Sequence, residues 1–153
     1  MRVLGIDPGA SGALVVLDND QPVEWMEMPT YQPSSHRKVN CAELSAWIDN
    51  LQVEKAFIEQ VHAMPGQGVS SMFYFGHSVG SVMGVLGALK IPVKEIRPVV
   101  WKKRAGLLNT DKDAARSKAI NIWPKWRALD KKIKGQALAD AALIALFGDG
   151  NDA

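Results

Sequence analysis

Arg2-Val3-Leu4-Gly5-Ile6-Asp7, followed at once by Pro8-Gly9-Ala10-Ser11-Gly12, is the stretch on which the fold turns. A short apolar run closed by turn residues predicts a buried strand. Its acid is the anomaly. A carboxylate at the end of a core strand must either be desolvated at considerable cost or hold a cation. The pattern recurs twice: Glu59 closes Ala56-Phe57-Ile58, and Asp140 opens Ala141-Ala142-Leu143-Ile144-Ala145. Two such acids on strands and one on an apolar helix point to a shared cation, and so to phosphodiester chemistry on paired divalent ions.

Beyond the turn at residues 9–12, residues 13–17 read as a second strand, Asp18-Asn19-Asp20 as a hairpin turn and residues 22–28 as a third strand. Residues 29–38 are polar and contain Pro29 and Pro33, a surface loop. Asn40 can cap a helix through Leu51, with Leu44, Trp47, Ile48 and Leu51 on one stripe. A strand at 55–60, a long helix at 69–89, a strand at 92–96 and a short helix at 98–107 follow. A helix from Thr110 or Asp111 runs to Ile122, where Pro124 stops it, and a last helix runs from Gly135 to Phe147-Gly148. This order predicts an α/β chain: a mixed five-stranded sheet, its first three strands antiparallel, with helices on both faces. The first and fourth strands would be neighbours, so Asp7 and Glu59 would meet at their ends, with Asp140 brought across the same edge.

The 153 residues are expected to form one domain, and no repeat or linker divides them. Cys41 is the sole cysteine, which excludes an intrachain disulfide and suits a reducing compartment; it reads as a half-buried helix residue. Residues 69–89 carry no formal charge over 21 positions, long enough to span a bilayer. Ser70, Ser71, His77, Ser78 and Ser81 among them favour a buried helix and no membrane partner. Net charge is only +2, but residues 101–135 hold eleven Lys/Arg against three Asp, whereas both flanking parts are acidic. A basic block beside an acidic remainder is the footprint of a polyanion binder.

Gly5-Ile6-Asp7-Pro8-Gly9, Ile58-Glu59-Gln60-Val61 and Ala139-Asp140-Ala141, in this order, resemble the RuvC-type Holliday-junction resolvases of the RNase H-like superfamily. The first block also opens sugar kinases and actin-like ATPases, but this chain is too short for the two subdomains of an ATPase; three blocks in register are specific. The resemblance covers nearly the whole chain, and the short length is like that of phage-encoded members. It implies a homodimer that cuts branched, four-way DNA symmetrically with two Mg²⁺ per active site, Mn²⁺ serving as a substitute. It also implies a cytoplasmic location in a bacterial or phage-infected cell. Carried over by position, Asp7, Glu59 and Asp140 are catalytic metal ligands.

The family has a further Asp or His three or four positions before the last acid. Here Ala137 and Gln136 stand there, and an amide oxygen is the weaker ligand for a hard cation. His62 occupies the place of the family's DNA-facing aromatic, and Lys102-Lys103 that of its basic residues, Lys102 in a catalytic role at the scissile phosphate. Lys112 and Arg116, at i and i+4 of the expected helix, would reach neighbouring DNA phosphates. Of Trp123 and Trp126, one is expected in the core. Gly76, Gly80, Gly84 and Gly87 form a bare stripe on the long helix, open to the chain's own sheet or to a second subunit, while Phe73, Met83 and Leu86 offer material for an interface. Two other readings remain: a junction-binding protein that cuts poorly, and an RNase H-like enzyme acting on RNA or hybrids.

Overall fold

In a computed structural model describing residues 1–150, seven strands and five α-helices follow the expected order. The main sheet comprises β1 (Arg2–Asp7), β2 (Ala13–Asp18), β3 (Gln21–Glu27), β6 (Lys55–Glu59) and β7 (Val93–Ile96), in the order β3-β2-β1-β6-β7. β1 pairs antiparallel with β2 and parallel with β6, so the strand carrying Asp7 is central and adjoins the strand carrying Glu59.

Side-chain alternation along these strands separates two cores. Leu4, Ile6, Ala56 and Ile58 face one way, onto α1 (Cys41–Asp49) and α2 (Val69–Ala88). Val15, Leu17 and Phe57 face the other way, onto α3 (Pro98–Ala105), α4 (Ala114–Ile122) and α5 (Lys132–Phe147). Asn40 caps α1 as its side chain accepts from the Glu43 amide at 3.1 Å.

α5 lies close on β1 and β2 because the meeting surfaces are small. Ala139, Ala141, Ala142 and Ala145 are buried there, opposite Gly5. A methyl group on Gly5 would sit 1.9 Å from the Ala141 carbonyl oxygen and 2.7 Å from the Ala145 Cβ. Neither neighbour can swing away, since the first is helix backbone. Gly5→Ala should therefore cost roughly 3 kcal/mol or more, read as a lowered urea midpoint; a midpoint within error of the parent would show that α5 can slide.

Several local expectations are corrected. The loop at 29–38 is not wholly irregular: β4 (Thr30–Tyr31) pairs with β5 (Lys38–Val39). The helix expected from residue 110 or 111 begins only at Ala114, whereas the last helix begins at Lys132, three residues before Gly135. A 3-10 turn at Arg127–Asp130 joins them. Trp123 and Trp126 are both buried, the former donating its indole N–H to the Asp20 carbonyl at 2.9 Å. Cys41 is exposed at the start of α1.

On α2, methyl groups at Gly76, Gly80, Gly84 or Gly87 would meet nothing within 4 Å, so the chain's own sheet does not occupy the stripe. Leu86 is fully buried and cannot serve an interface, Met83 packs against the core, and Phe73 is 64% exposed. Among the described residues no helix is long and apolar enough to cross a membrane.

Candidate active site

The strand alternation that buries Ile6 and Ile58 on the α1/α2 side turns the next residues, Asp7 and Glu59, toward α5. Ile6 and Ile58 are register partners, so the two acids stand one step beyond them at the carboxyl ends of adjacent parallel strands. Asp140 precedes Ala141, whose carbonyl is the atom nearest the open face of Gly5. The close seat of α5 on β1 thus delivers the third carboxylate.

Electrostatics records the convergence. Burial is the main cause that raises the Asp7 carboxyl well above the ordinary aspartate range, with the charges of Asp140 and then Glu59 adding to it. Asp140 is pushed up to about 7, first by burial and then by Glu59. The Lys102 ammonium opposes both shifts, which places its field on the acids. Glu59 is the acid with a protein donor: the buried indole of Trp101 gives its N–H to Oε2 at 2.7 Å. Lys102 Nζ lies 5.6 Å from the centre of the same ring, so one side chain steers a carboxylate and a cation together.

Among the described residues no three His, Cys, Asp or Glu side chains are gathered closely enough to enclose a metal ion as they stand. The donor chemistry nevertheless fits a hard divalent cation: three carboxylates share one sheet edge, and two are held toward their neutral forms by burial and mutual repulsion. Bound positive charge would relieve both.

Two clefts reach the acids, one at Asp140 and the other at Asp7. One, of about 260 Å³, is lined by Trp101, Lys102, Thr110, Lys112, Gln136 and Asp140 among others. The other, of about 440 Å³, is lined by Asp7, the Pro8–Gly12 turn, the loop residues His36 and Arg37, and α2. Gly9 holds that turn at φ 106°, a conformation costly for a residue with a side chain.

The sequence matches no protein-family model and no curated protein. Two solved structures superpose on nearly all of it. "T. thermophilus RuvC in complex with Holliday junction substrate" is 17% identical, with a TM-score of 0.69 over 96% of this chain and 92% of that one. "Thermus thermophilus RuvC structure" is 16% identical, with a TM-score of 0.62 over 97% and 95%. The chain has the RuvC fold.

Within the RuvC fold, the expected residues divide into those the site gathers and those it does not. Asp7, Glu59, Asp140 and Lys102 share one electrostatic centre, and Gln136 and Lys112 line its smaller cleft. The Gln136 side-chain nitrogen donates to the Lys112 carbonyl at 2.5 Å, which leaves its oxygen as the free acceptor. Lys103 is exposed beside Lys102 but lines neither cleft. His62 lines neither cleft but an apolar groove of about 430 Å³ with Val61, Met72 and Val79, which shares Phe75 with the Asp7 cleft.

Arg116 is otherwise engaged. Its Nε donates to the Leu129 carbonyl at 2.7 Å and its Nη2 to the Asp130 carbonyl at 2.9 Å, and Nη1 lies 3.7 Å from Asp113. The guanidinium ties α4 to the 3-10 turn instead of reaching outward as a partner of Lys112. Arg116→Ala should cost about 1–3 kcal/mol of stability and leave the salt dependence of DNA binding unchanged. Lys112→Ala should do the reverse, lowering the log–log salt slope by about one. Parallel urea titrations and binding isotherms would separate the two, and a reduced slope for Arg116→Ala would refute this division.

Trp101, Arg37 and His36 were not singled out for the site by the sequence. Only the place of Trp101 immediately before Lys102 could have drawn attention to it.

Proposed function

We propose that the chain is a divalent-metal-dependent endodeoxyribonuclease that resolves four-way DNA junctions, and other branched forms, by paired symmetric phosphodiester hydrolysis. It would act as one nuclease domain within a homodimer. The observation that carries this reading is the placing of Asp7 and Glu59 at the carboxyl ends of two adjacent parallel strands, with Asp140 on the helix packed against the first of them. The RuvC fold adds support, since one of the two similar structures is described as a complex with a Holliday junction.

Two Mg²⁺ ions held by these carboxylates would acidify an attacking water and neutralise the leaving oxygen. The protein's own contributions are positional. Trp101 fixes the rotamer of Glu59 through its N–H. Lys102 supplies positive charge beside the acids, where a scissile phosphate would need it. Gly12 lets the turn close on the end of β1, since a Cβ there would lie 1.9 Å from the Asp7 carbonyl oxygen, and so holds Asp7 at the cleft wall. The exposed, uncharged glycine face of α2 next to Phe73 is the surface proposed for the second subunit, and a two-fold dimer would match a two-fold junction.

One feature favours a second reading, a junction binder that cuts weakly. The place of a fourth acid is held by Gln136, whose amide is tied to the Lys112 backbone. Gln136→Asp should raise the Mg²⁺-supported rate by about tenfold, the scale on which metal-site supports act. An unchanged or lower single-turnover rate would show that the position is not a deficient ligand.

The direct test is incubation with a labelled synthetic four-way junction and Mg²⁺ or Mn²⁺, beside linear duplex and an RNA–DNA hybrid. Paired nicks in the junction alone, lost in EDTA, support a resolvase. A gel shift without cutting in either metal supports the binder, and hybrid cleavage supports an RNase H-like activity.

A further inference from the structure

The larger cleft has no task in the mechanism above beyond admitting Asp7 to its wall. Its composition is unusual for an idle surface. Arg37 is exposed there, and its Nη2 donates to Ser11 Oγ at 2.6 Å. Among the described residues it makes no ion pair, and Asp7 is the one acid that lines the cleft. A guanidinium carries five donors in a planar fork. One is spent on Ser11, which orients the group and leaves the remainder for a ligand.

Arg37 is also not on a free-running loop. The ring of His36 stacks on Tyr74 of α2 at 4.0 Å and 9°. On the other side, Lys38–Val39 pairs with Thr30–Tyr31, and the Asn40 amide donates to the Pro29 carbonyl at 2.8 Å. The chain is therefore fastened immediately before and immediately after the arginine. Opposite lies the turn carrying Ser11, closed by the Gly12 amide donating to the Gly9 carbonyl at 3.1 Å. A planar cation oriented by a hydroxyl suits a phosphate oxygen pair.

The two clefts share no lining residue; Asp7 lines one and Asp140 the other. We propose that Arg37, oriented by Ser11, seats a DNA backbone phosphate on the Asp7 side of the acid cluster, so that the cut strand is held on both sides of the scissile bond. Lys112 would hold the Asp140 side. The inference rests on the nuclease reading and adds a positioning residue to it. Arg37 acts by fixing the strand and takes no part in bond making.

The test measures binding of a labelled four-way junction across a salt series in EDTA, and single-turnover cleavage at saturating protein in Mg²⁺, for the parent, Arg37→Ala and Arg37→Lys. Melting curves for each variant check folding. Arg37→Ala should weaken binding severalfold at every junction sequence, lower the log–log salt slope by about one and slow cleavage at saturation. Arg37→Lys should restore the slope but not the cleavage rate, because charge returns without the planar fork. If the parent binds and cuts junctions while Arg37→Ala matches it in slope and rate, the phosphate seat is wrong and the nuclease reading stands. Full rescue of cleavage by lysine overturns the claim that the fork positions the strand. If the parent neither binds nor cuts, both fall together.

Discussion

Asp7→Asn should yield a folded protein that binds a four-way junction and does not cut it. The substitution keeps shape and volume at the end of β1 but exchanges a charged ligand for a neutral amide. Removing one member of a catalytic unit costs about 10³-fold or more in rate. Binding should hold or tighten, because a negative charge is removed from a surface that must meet phosphates. The fold should gain, since burial and two neighbouring acids already press Asp7 toward its neutral form. Expected together are a higher melting temperature in EDTA, an undiminished gel shift and no nicks in Mg²⁺ or Mn²⁺. Loss of the circular dichroism signal would make Asp7 a structural residue, and residual cutting near the parent rate would remove it from the chemistry.

In EDTA the protein should be more stable at pH 5 than at pH 8, opposite to the usual effect of a salt-bridged carboxylate. Asp140 moves from 3.8 in the unfolded chain to about 7 in the fold, and Asp7 shifts the same way. Between those values the native state binds more protons than the unfolded one, so stability falls as pH rises through the window and levels off above it. About two units of that window lie between pH 5 and pH 8, which at about 1.4 kcal/mol each set an upper limit of roughly 3 kcal/mol for the contribution of Asp140 to the difference. Asp140→Asn should flatten much of this slope in urea titrations at the two pH values. Mg²⁺ should stabilise the parent more at pH 8 than at pH 5, because ligands must be deprotonated to bind. Equal pH slopes for parent and variant would mean that Asp140 does not feel the burial and charge described for it.

Much of this was legible from one-dimensional pattern, for a physical reason. A short continuous apolar run closed by an acid marks Asp7 and Glu59, because a strand buried on both faces leaves a terminal carboxylate no cheap place except beside a cation. The antiparallel first three strands and the pairing of the first with the fourth were expected and are found, whereas the place of Val93–Ile96 at the sheet edge came only from the structure. Asp140 was visible as the one charge in an apolar helix. What escaped depends on contacts distant in sequence. Trp101 matters through Glu59, 42 residues away. Arg116 was assigned to DNA on i,i+4 geometry, but α4 starts at Ala114, and its partners lie on a 3-10 turn that periodicity does not announce. The pairing of Thr30–Tyr31 with Lys38–Val39 is two residues long, too short for alternation to register, so the loop that delivers Arg37 looked unstructured.

β1 is hydrogen-bonded on both sides and covered on both faces, by α5 and by the α1/α2 core. Amides in such a strand exchange with solvent only when the whole molecule opens, whereas peripheral segments open far more often. Asp7 therefore hangs from the slowest-exchanging part of the backbone, and Arg37 from a loop whose pairing is only two residues deep. Thermal motion that leaves the carboxylate in place can still release the arginine, so the proposed phosphate seat and the proposed metal site need not be lost in the same fluctuation.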